Sequence, residues 1–139
     1  MSGRATGPPR PGRATRQQRY RKGHVAEWLA RLVLRLKGYR ILERRYRVPV
    51  GEIDIVAVRG RRIAFVEVKH RPTLALAGMS LSARQRERII RAAEHWLARH
   101  PRYQEHEFGL DLMLMAPRAW PRHLPNAFHR PWSAPRKDR

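Results

Sequence analysis

The sequence predicts an α/β protein with a mixed sheet of about four to five strands and two main helices, in the order α-β-β-β-α-β. Residues 51–58 and 62–69 are dense in Ile, Val and Phe around a glycine, which indicates two strands joined by a tight turn. Residues 24–37 and 82–100 carry apolar side chains at helical spacing. Another apolar strand, 107–115, follows the second helix, and strand–helix–strand order predicts a right-handed parallel crossover.

The central hairpin turns at Gly60 and Arg61, because glycine is preferred at the first position of a type II′ turn. This register pairs Arg59 with Arg62, Val58 with Ile63, Val56 with Phe65, Asp54 with Glu67 and Glu52 with Lys69. Side chains alternate between faces with period two, so the last four residues share one face at the open end. Both faces are otherwise apolar, which is typical of central, buried strands.

Two carboxylates at the end of a buried hairpin need a compensating cation, since like charges placed opposite each other destabilise a sheet. Lys69 supplies one charge, and Mg²⁺ (or Mn²⁺) bound by Asp54 and Glu67 would supply more. A metal and a nearby lysine can together hydrolyse a phosphodiester. Alternatively, the hairpin end is closed by Glu52–Lys69 and by Asp54 with an arginine.

The composition favours a polyanionic partner. The chain has 139 residues, consistent with one domain, and a formal net charge of +20. Nucleic acid is the first candidate and an anionic membrane surface the second. Cysteine is absent, which excludes disulfides and thiolate metal sites. No apolar run approaches the roughly 20 residues of a membrane span, and the N-terminus lacks the apolar core of a signal peptide, so a cytoplasmic location is expected.

The first helix is predicted over 24–37, with Val25, Leu29, Leu32 and Leu36 at helical spacing and Gly38 as a C-terminal cap. Glu27 in its first turn has two interpretations. It either pairs with Arg31 four residues later or reaches the metal as a third carboxylate. Residues 39–48 follow as a strand at or near a sheet edge, because they are rich in arginine.

A loop is predicted from Arg71 to Ser80, and a loop in this position can cover a site or contact substrate. Ser82 and Gln85 match a capping box at the start of the second helix, although both could instead touch substrate. Ile89, Ala93, Trp96 and Leu97 mark the buried stripe of this helix. Its first half is basic, and these side chains are either solvated or bind phosphates: Arg84, Arg86, Arg88 and Arg91.

Asp111 lies alone among apolar residues of the strand 107–115, and pairing with a buried arginine is the preferred interpretation. A short strand or turn is expected at 123–128. Residues 1–22 and 129–139 are predicted to be disordered basic segments, which leaves residues 23–128 as the domain. Residues 23–116 alone contain 18 basic and 10 acidic residues, so the basic character extends into the domain.

The site residues also carry a resemblance. Glu27, Gly51-Glu-Ile-Asp54 and Phe65-Val-Glu67-Val-Lys69 resemble the PD-(D/E)XK nuclease superfamily. The match is closer to the YraN-like family of small bacterial proteins, through Gly23-x-x-Ala26-Glu27, Gly38-Tyr39, Phe108 to Leu112 and Asn126-Ala127-Phe128. Three positions depart from the expected patterns. Ile53 replaces the proline of the superfamily name, although Gly-Glu-Ile-Asp is usual in the YraN-like family, and Gln85 replaces a lysine and Leu110 an arginine.

This resemblance implies a restriction-endonuclease-like three-layer core, as in Holliday-junction resolvases and related to the tRNA-endonuclease-like fold. It also implies that Asp54, Glu67 and Glu27 bind the metal and that Lys69 assists catalysis. The expected substrate is nucleic acid, DNA ahead of RNA, at branched or single-stranded structures. Arg71, Arg84, Arg86, Arg88 and Gln85 are the candidate nucleic-acid contacts. A homodimer is plausible because duplex cleavage needs two active sites; a binding module without catalysis is the alternative.

Overall fold

The computed structural model describes residues 16–79 and 81–128, which form one five-stranded mixed sheet with helices on both faces. The elements are α1 (Arg16–Leu36), β1 (Arg40–Val48), β2 (Gly51–Arg59), β3 (Arg62–His70), α2 (Leu74–Met79), α3 (Ala83–Arg99), a 3-10 turn (Pro101–Tyr103), β4 (Glu107–Met115) and β5 (Arg122–Phe128). The strand order is β1-β2-β3-β4-β5, with β3 and β4 parallel and the other neighbours antiparallel. The predicted α/β class is confirmed, and this order is consistent with a restriction-endonuclease-like core.

Each face of the sheet has its own apolar core, which gives three layers. Val56, Val58, Ile63 and Phe65 pack under α2 and α3 with Trp96 at the centre of the cluster. The alternate residues of the same strands pack against α1: Ile55, Ala57, Ala64 and Val66. The hairpin strands are therefore buried on both sides, as their continuous apolar runs predicted.

The hairpin register is confirmed from Arg59–Arg62 to Ile55–Val66. Gly60 has φ of 57°, and Arg61 is not among the described residues with positive φ, which fits a type II′ turn. The predicted strands 39–48, 107–115 and 123–128 are also present, and β1 lies at the sheet edge as expected.

The first helix differs from its prediction in start and in buried face. It begins at Arg16, so it includes residues 16–22 of the predicted disordered arm. The glycines and prolines of that arm all precede residue 13, and nothing after them stops a helix. The buried face is Ala26, Ala30, Val33 and Leu34, whereas Val25 and Leu36 are 58% and 70% exposed. Small alanines let the helix approach the sheet closely. No helix among the described residues could cross a membrane.

The predicted loop after β3 contains the short helix α2. Pro72 and Gly78 indicated a loop, but the Thr73 hydroxyl accepts a hydrogen bond from the Leu76 amide at 3.1 Å and starts a turn. Ala77 then packs fully buried against the sheet. The second predicted helix is α3, and its capping box between Ser82 and Gln85 and its buried stripe are both confirmed.

Asp111 on β4 links this strand to β3 and β5, and its predicted pairing with an arginine is confirmed. Its buried carboxylate accepts hydrogen bonds from Arg62 on β3 at 2.7 and 3.0 Å, and from His123 Nε2 and the Asn126 amide on β5. A Cβ at Gly109 would stand 2.2 Å from Asn126 Oδ1 and 2.3 Å from Arg62 Nη2, so only glycine leaves room for this network. The predicted tail 129–139 and residues 1–15 of the arm lie outside the described residues.

Candidate metal centre

Asp54 lies where the regular alternation of β2 is interrupted. Ile53 and Val56 belong to the same core cluster under α3, although residues three apart on a regular strand face opposite sides. On the neighbouring strand β1, pairing runs from Arg44–Ile55 to Tyr46–Ile53, so Arg45 is the residue beside Asp54. Arg45 has φ of 52°, a left-handed backbone that non-glycine residues seldom adopt. Both strands thus depart from regular β geometry at this point.

The ladder between β2 and β3 also ends here. Its last pair is Ile55–Val66, so the predicted pairs Asp54–Glu67 and Glu52–Lys69 do not form. Instead Asp54 Oδ2 accepts a hydrogen bond from the Val68 amide at 2.7 Å. A side chain therefore replaces a backbone acceptor, and the strands separate at the acidic pair. Glu52 pairs instead with Arg47, with 3.8 Å between Oε2 and Nε, and its charge also contributes to the raised pKa of Asp54.

Glu67 and Lys69 lie two residues apart on one face of β3, as predicted. Lys69 is only 6% exposed, and its Nζ is 3.4 Å from Glu67 Oε1. The other carboxylate oxygen, Glu67 Oε2, is buried with no hydrogen-bond partner among the described residues. The alternative closure by Glu52–Lys69 is therefore wrong, because Lys69 turns to the carboxylate on its own strand.

The two acids influence each other's ionisation. Burial, followed by repulsion from Asp54, raises the pKa of Glu67 to about 8, against the opposing charge of Lys69. Burial also raises the pKa of Asp54, although the Val68 amide partly offsets it. Each carboxyl is close enough to the other to share a hydrogen bond when one is protonated. At neutral pH the pair therefore retains a proton that a cation could displace.

The donor set fits a hard divalent cation. Carboxylate oxygens are the ligands that Mg²⁺ and Mn²⁺ prefer, and Mg²⁺ usually takes one or two carboxylates and keeps several waters. Asp54 and Glu67 supply two carboxylates. Glu67 Oε2, which has no hydrogen-bond partner among the described residues, is available to bind a cation. Within 16–79 and 81–128, no group of three or more His, Cys, Asp or Glu side chains is arranged to hold a metal.

Glu27 is held outside this pair. Arg45 Nε donates to both of its carboxylate oxygens, at 2.9 and 3.2 Å, so its side-chain partner is Arg45 and not the predicted Arg31. The two residues line a basic recess with His24, Arg31 and Arg44. Asp54 nevertheless feels the charge of Glu27, which contributes to the raised pKa of Asp54. Its role as a third metal ligand remains a prediction.

The candidate nucleic-acid contacts differ in availability. Arg84, Arg86 and Arg88 are exposed on the first half of α3, whereas Gln85 is engaged in the capping box. Arg71 is partly buried and donates to the His70 carbonyl at 2.8 Å. A Cβ at Gly51 would stand 1.7 Å from the Arg88 carbonyl oxygen. Since Gly51 precedes Asp54 by three residues, the basic half of α3 starts at the same end of the sheet as the acids.

Sequence reasoning did not identify Arg45 as part of this site. It is one of several arginines in β1, and neither its left-handed backbone nor its contact with a helix eighteen residues earlier has a local signal. The Val68 amide was missed for a related reason. A regular hairpin would have used that amide in the ladder, and only the end of the ladder makes it available to Asp54.

Comparison with protein families is informative at this point. The model of "Uncharacterised protein family UPF0102" matches residues 26–115, a span that includes Glu27, Asp54, Glu67 and Lys69. The chain belongs to the UPF0102 family. This confirms the YraN-like resemblance drawn from the motifs.

Relatives from several bacteria match most of the chain. A UPF0102 protein of Methylorubrum extorquens (strain PA1) is 53% identical over 121 residues, which are 87% of this chain and 94% of the relative. A UPF0102 protein of Chelativorans sp. (strain BNC1) is 50% identical over 84% of this chain and 94% of its own length. One of Methylobacterium nodulans (strain LMG 21967 / CNCM I-2342 / ORS 2060) is 51% identical over 85% and 92%.

Proposed function

We propose that this UPF0102 protein is a metal-dependent nuclease that hydrolyses phosphodiester bonds in DNA, at branched or single-stranded structures. One observation carries the proposal. Asp54 and Glu67 crowd together beside a buried lysine, and one oxygen of Glu67 is buried without a described hydrogen-bond partner. Such an arrangement is electrostatically unfavourable alone and favourable around a divalent cation. The strongly basic chain supports a polyanionic substrate.

Each residue has a distinct task in this proposal. Asp54 and Glu67 would hold the cation, and Glu67 would lose its proton on binding it. A bound Mg²⁺ or Mn²⁺ would polarise the scissile phosphate and lower the pKa of an attacking water. Lys69, held beside Glu67, orients that water or stabilises the negative charge that develops on the phosphate. Arg45 keeps Glu27 beside the centre, where its charge adds to the demand for a cation.

Substrate binding is assigned to the basic surface next to the acids. Arg84, Arg86 and Arg88 would contact backbone phosphates, and Arg71 would lie where β3 leaves the site. Such contacts position a strand without reading its sequence. Gln85 stabilises the helix start that presents these arginines, and its contribution to binding is therefore indirect.

A cleavage panel tests the proposal. Wild type, Asp54→Asn and Glu52→Gln are incubated with four-way junction, flap, single-stranded and duplex DNA and with structured RNA, each in Mg²⁺, Mn²⁺ and EDTA. We expect cutting that needs metal, is lost in Asp54→Asn and is kept in Glu52→Gln, an exposed acid on the same strand. Equal cutting by wild type and Asp54→Asn would overturn the site assignment. Sedimentation with and without duplex would reveal a homodimer.

A non-catalytic nucleic-acid-binding module is the second candidate. The binding module is favoured by the partners that the acids already have. Asp54 accepts a hydrogen bond from the Val68 amide, and Glu67 forms an ion pair with Lys69. This candidate predicts salt-sensitive binding of nucleic acid, with no turnover in either metal. Binding without cutting across the whole panel would select it.

A further inference from the structure

A second basic cleft lies at the other end of the central hairpin. It has a volume of about 470 Å³, within the range of roughly 300–1,000 Å³ typical of ligand pockets. Its walls come from the α1–β1 turn, the β2–β3 turn, the 3-10 turn after α3 and the residues that follow. The lining residues are Gly38, Arg40, Val58, Arg59, Gly60, Arg102, Tyr103 and His106.

Three arginines from three different elements line this cleft: Arg40 of β1, Arg59 of β2 and Arg102 of the 3-10 turn. None of the described lining residues is acidic. Three arginines lining one cleft with no acidic residue in its walls repel one another, and an anion that enters relieves this repulsion. The cleft is therefore suited to a compact, multiply charged anion.

Two of the three arginines are held in place by neutral groups. The Arg59 guanidinium lies 4.6 Å from the centre of the Tyr39 ring and donates to the Lys37 carbonyl at 3.1 Å. The Arg102 guanidinium lies 5.5 Å from the centre of the Tyr103 ring. Aromatic faces fix a guanidinium without using its N–H donors, so donors stay available for a planar, two-point contact. Phosphate oxygens match that geometry.

The walls of the cleft have two further features, a ring nitrogen without a described partner and an open backbone turn. His106 Nδ1 is buried and has no hydrogen-bond partner among the described residues. A Cβ built at Gly60 would meet no atom within 4 Å, so the backbone of the hairpin turn is open to an approaching group. Gly60 has a φ of 57°, a backbone conformation that disfavours residues with a side chain.

The cleft is separate from the candidate metal centre. Arg59 is five residues along β2 from Asp54, and a strand rises about 3.3 Å per residue, which places the two about 17 Å apart along the strand. No residue lines both. A ligand group bound in the cleft therefore does not share the ligands of the cation.

We propose that this cleft binds a phosphate group of a nucleic-acid strand. The bound group is a phosphate held by two or more guanidiniums. This phosphate lies either at the end of a strand or at an internal position of its backbone. The inference deepens the proposed function and rests on it for the identity of the strand. It adds a second anchor at a fixed distance from the cation, so a strand bound at both points would be cut at a set distance from the anchored phosphate.

The first test uses the full chain without nucleic acid. Inorganic phosphate is titrated into ¹⁵N-labelled protein in EDTA, and the Gly60 amide and the His106 ring are followed by NMR. We expect saturable shifts at both, with the amide of Gly78 in α2 unmoved as an internal control. Shifts that are absent, or equal at Gly60 and Gly78, would overturn the cleft as a phosphate site, whatever the fate of the nuclease proposal.

The second test separates the sources of the phosphate. Single-stranded oligonucleotides with and without a 5′-phosphate are bound in EDTA to wild type, Arg40→Ala, Arg102→Ala and the control Arg99→Ala, an exposed arginine of α3 that does not line the cleft. We expect about tenfold weaker binding for each cleft variant, the loss of one charged hydrogen bond. Losses confined to the phosphorylated strand identify a terminal phosphate, and equal losses identify an internal one. Losses no larger than that of Arg99→Ala would contradict the proposal. Wild type that binds no strand would instead reject the nucleic-acid function as a whole.

Discussion

At the scale of single residues, Glu67 ties ionisation to stability. Its ordinary pKa of 4.5 rises to about 8 in the folded protein because it is buried beside Asp54. Between these two values the unfolded chain has released the proton and the folded chain still binds it. Since the folded state then holds more protons, its stability falls as pH rises through this window.

The substitution Glu67→Gln removes that dependence. We expect its melting temperature to exceed that of wild type at pH 8 in EDTA, with a smaller difference at pH 5, where the wild-type carboxyl is already neutral. Thermal unfolding at the two pH values measures this. Glu52→Gln, an exposed acid on the neighbouring strand that raises the pKa of Asp54 less than Glu27 does, should show a much smaller pH-dependent gain. A Glu67→Gln protein that is less stable than wild type by the same amount at both pH values would contradict the coupling.

Metal binding should offset the loss of stability that ionised Glu67 causes at high pH. A ligand that binds only the folded state raises stability, so Mg²⁺ or Mn²⁺ should raise the melting temperature of wild type at pH 8. We expect no increase for Asp54→Asn or Glu67→Gln, which each lack one of the two carboxylates. Glu52→Gln should respond like wild type. Equal responses from all four proteins would place the cation elsewhere.

At the scale of elements, the closest approach between α3 and the sheet depends on Gly51. A Cβ there would stand 1.7 Å from the Arg88 carbonyl oxygen, a backbone atom that cannot swing aside. We therefore expect Gly51→Ala to lower the free energy of unfolding by about 3 kcal/mol, at the upper end for overpacking.

Gly78→Ala is the matched control for this substitution. Gly78 lies in α2, and its added Cβ would meet only Leu114 Cδ1, at an ordinary 3.6 Å. Alanine is favoured over glycine inside a helix by about 0.5–1 kcal/mol, so this variant should be neutral or more stable. Denaturant unfolding of both variants measures the difference. A Gly51→Ala protein as stable as Gly78→Ala would show that α3 can move away from β2 without penalty.

The link between β3, β4 and β5 depends on Asp111. Burial alone would raise its pKa, but hydrogen bonds from His123 and Arg62 outweigh burial and hold the pKa below its ordinary value. A depressed carboxyl pKa stabilises the fold above the ordinary pKa, and that stability is lost as pH falls through the folded value.

Asp111→Asn should therefore cost about 3–5 kcal/mol at pH 7, because it leaves the Arg62 guanidinium without its counter-charge. Its stability should also fall less steeply than that of wild type below pH 4. Glu52→Gln, which breaks an exposed pair, should cost about 1 kcal/mol or less. Denaturant unfolding at pH 7 and pH 3 tests both. A cost for Asp111→Asn no larger than that of Glu52→Gln would show that the network is dispensable.

Elements with strong local signals were predictable from the sequence. Gly60 set the hairpin turn, Ser82 and Gln85 set the start of α3, and apolar runs set the two-sided burial of β2 and β3. The buried face of α1 was not predictable, because it includes the small residues Ala26 and Ala30, which carry little hydrophobic signal. The helix α2 was missed since proline and glycine nearby indicated a loop.

The candidate site was predictable only in part. Glu67 and Lys69 share a face because period two is local to one strand, whereas the pair Asp54–Glu67 assumed a ladder that ends one residue earlier. The partner of Glu27 depends on Arg45, which β1 brings from another part of the chain. Contacts of this kind follow from how elements pack, and a single sequence does not encode them locally.

At the scale of the whole molecule, opposite charges are sorted along the central hairpin. The acids lie at its open end, next to the basic half of α3, and a cluster of arginines lies at its turn. A polyanion drawn to the basic surface would meet the acidic pair only with a cation present to bridge them. A strand can therefore bind the basic surface without metal, whereas its cleavage requires the cation, which is the central claim of the proposed function.

The most direct measurement is the single-turnover cleavage rate in Mg²⁺ on the best substrate of the panel, for wild type, Asp54→Asn, Glu67→Gln, Lys69→Met and Glu52→Gln. We predict a loss of at least about a hundredfold for each of the three centre variants and no loss for Glu52→Gln. If wild type cuts and all four variants cut at its rate, the acidic pair and Lys69 do not form the catalytic centre. If wild type does not cut at all, the protein is a binding module, and the crowded acids serve the fold alone.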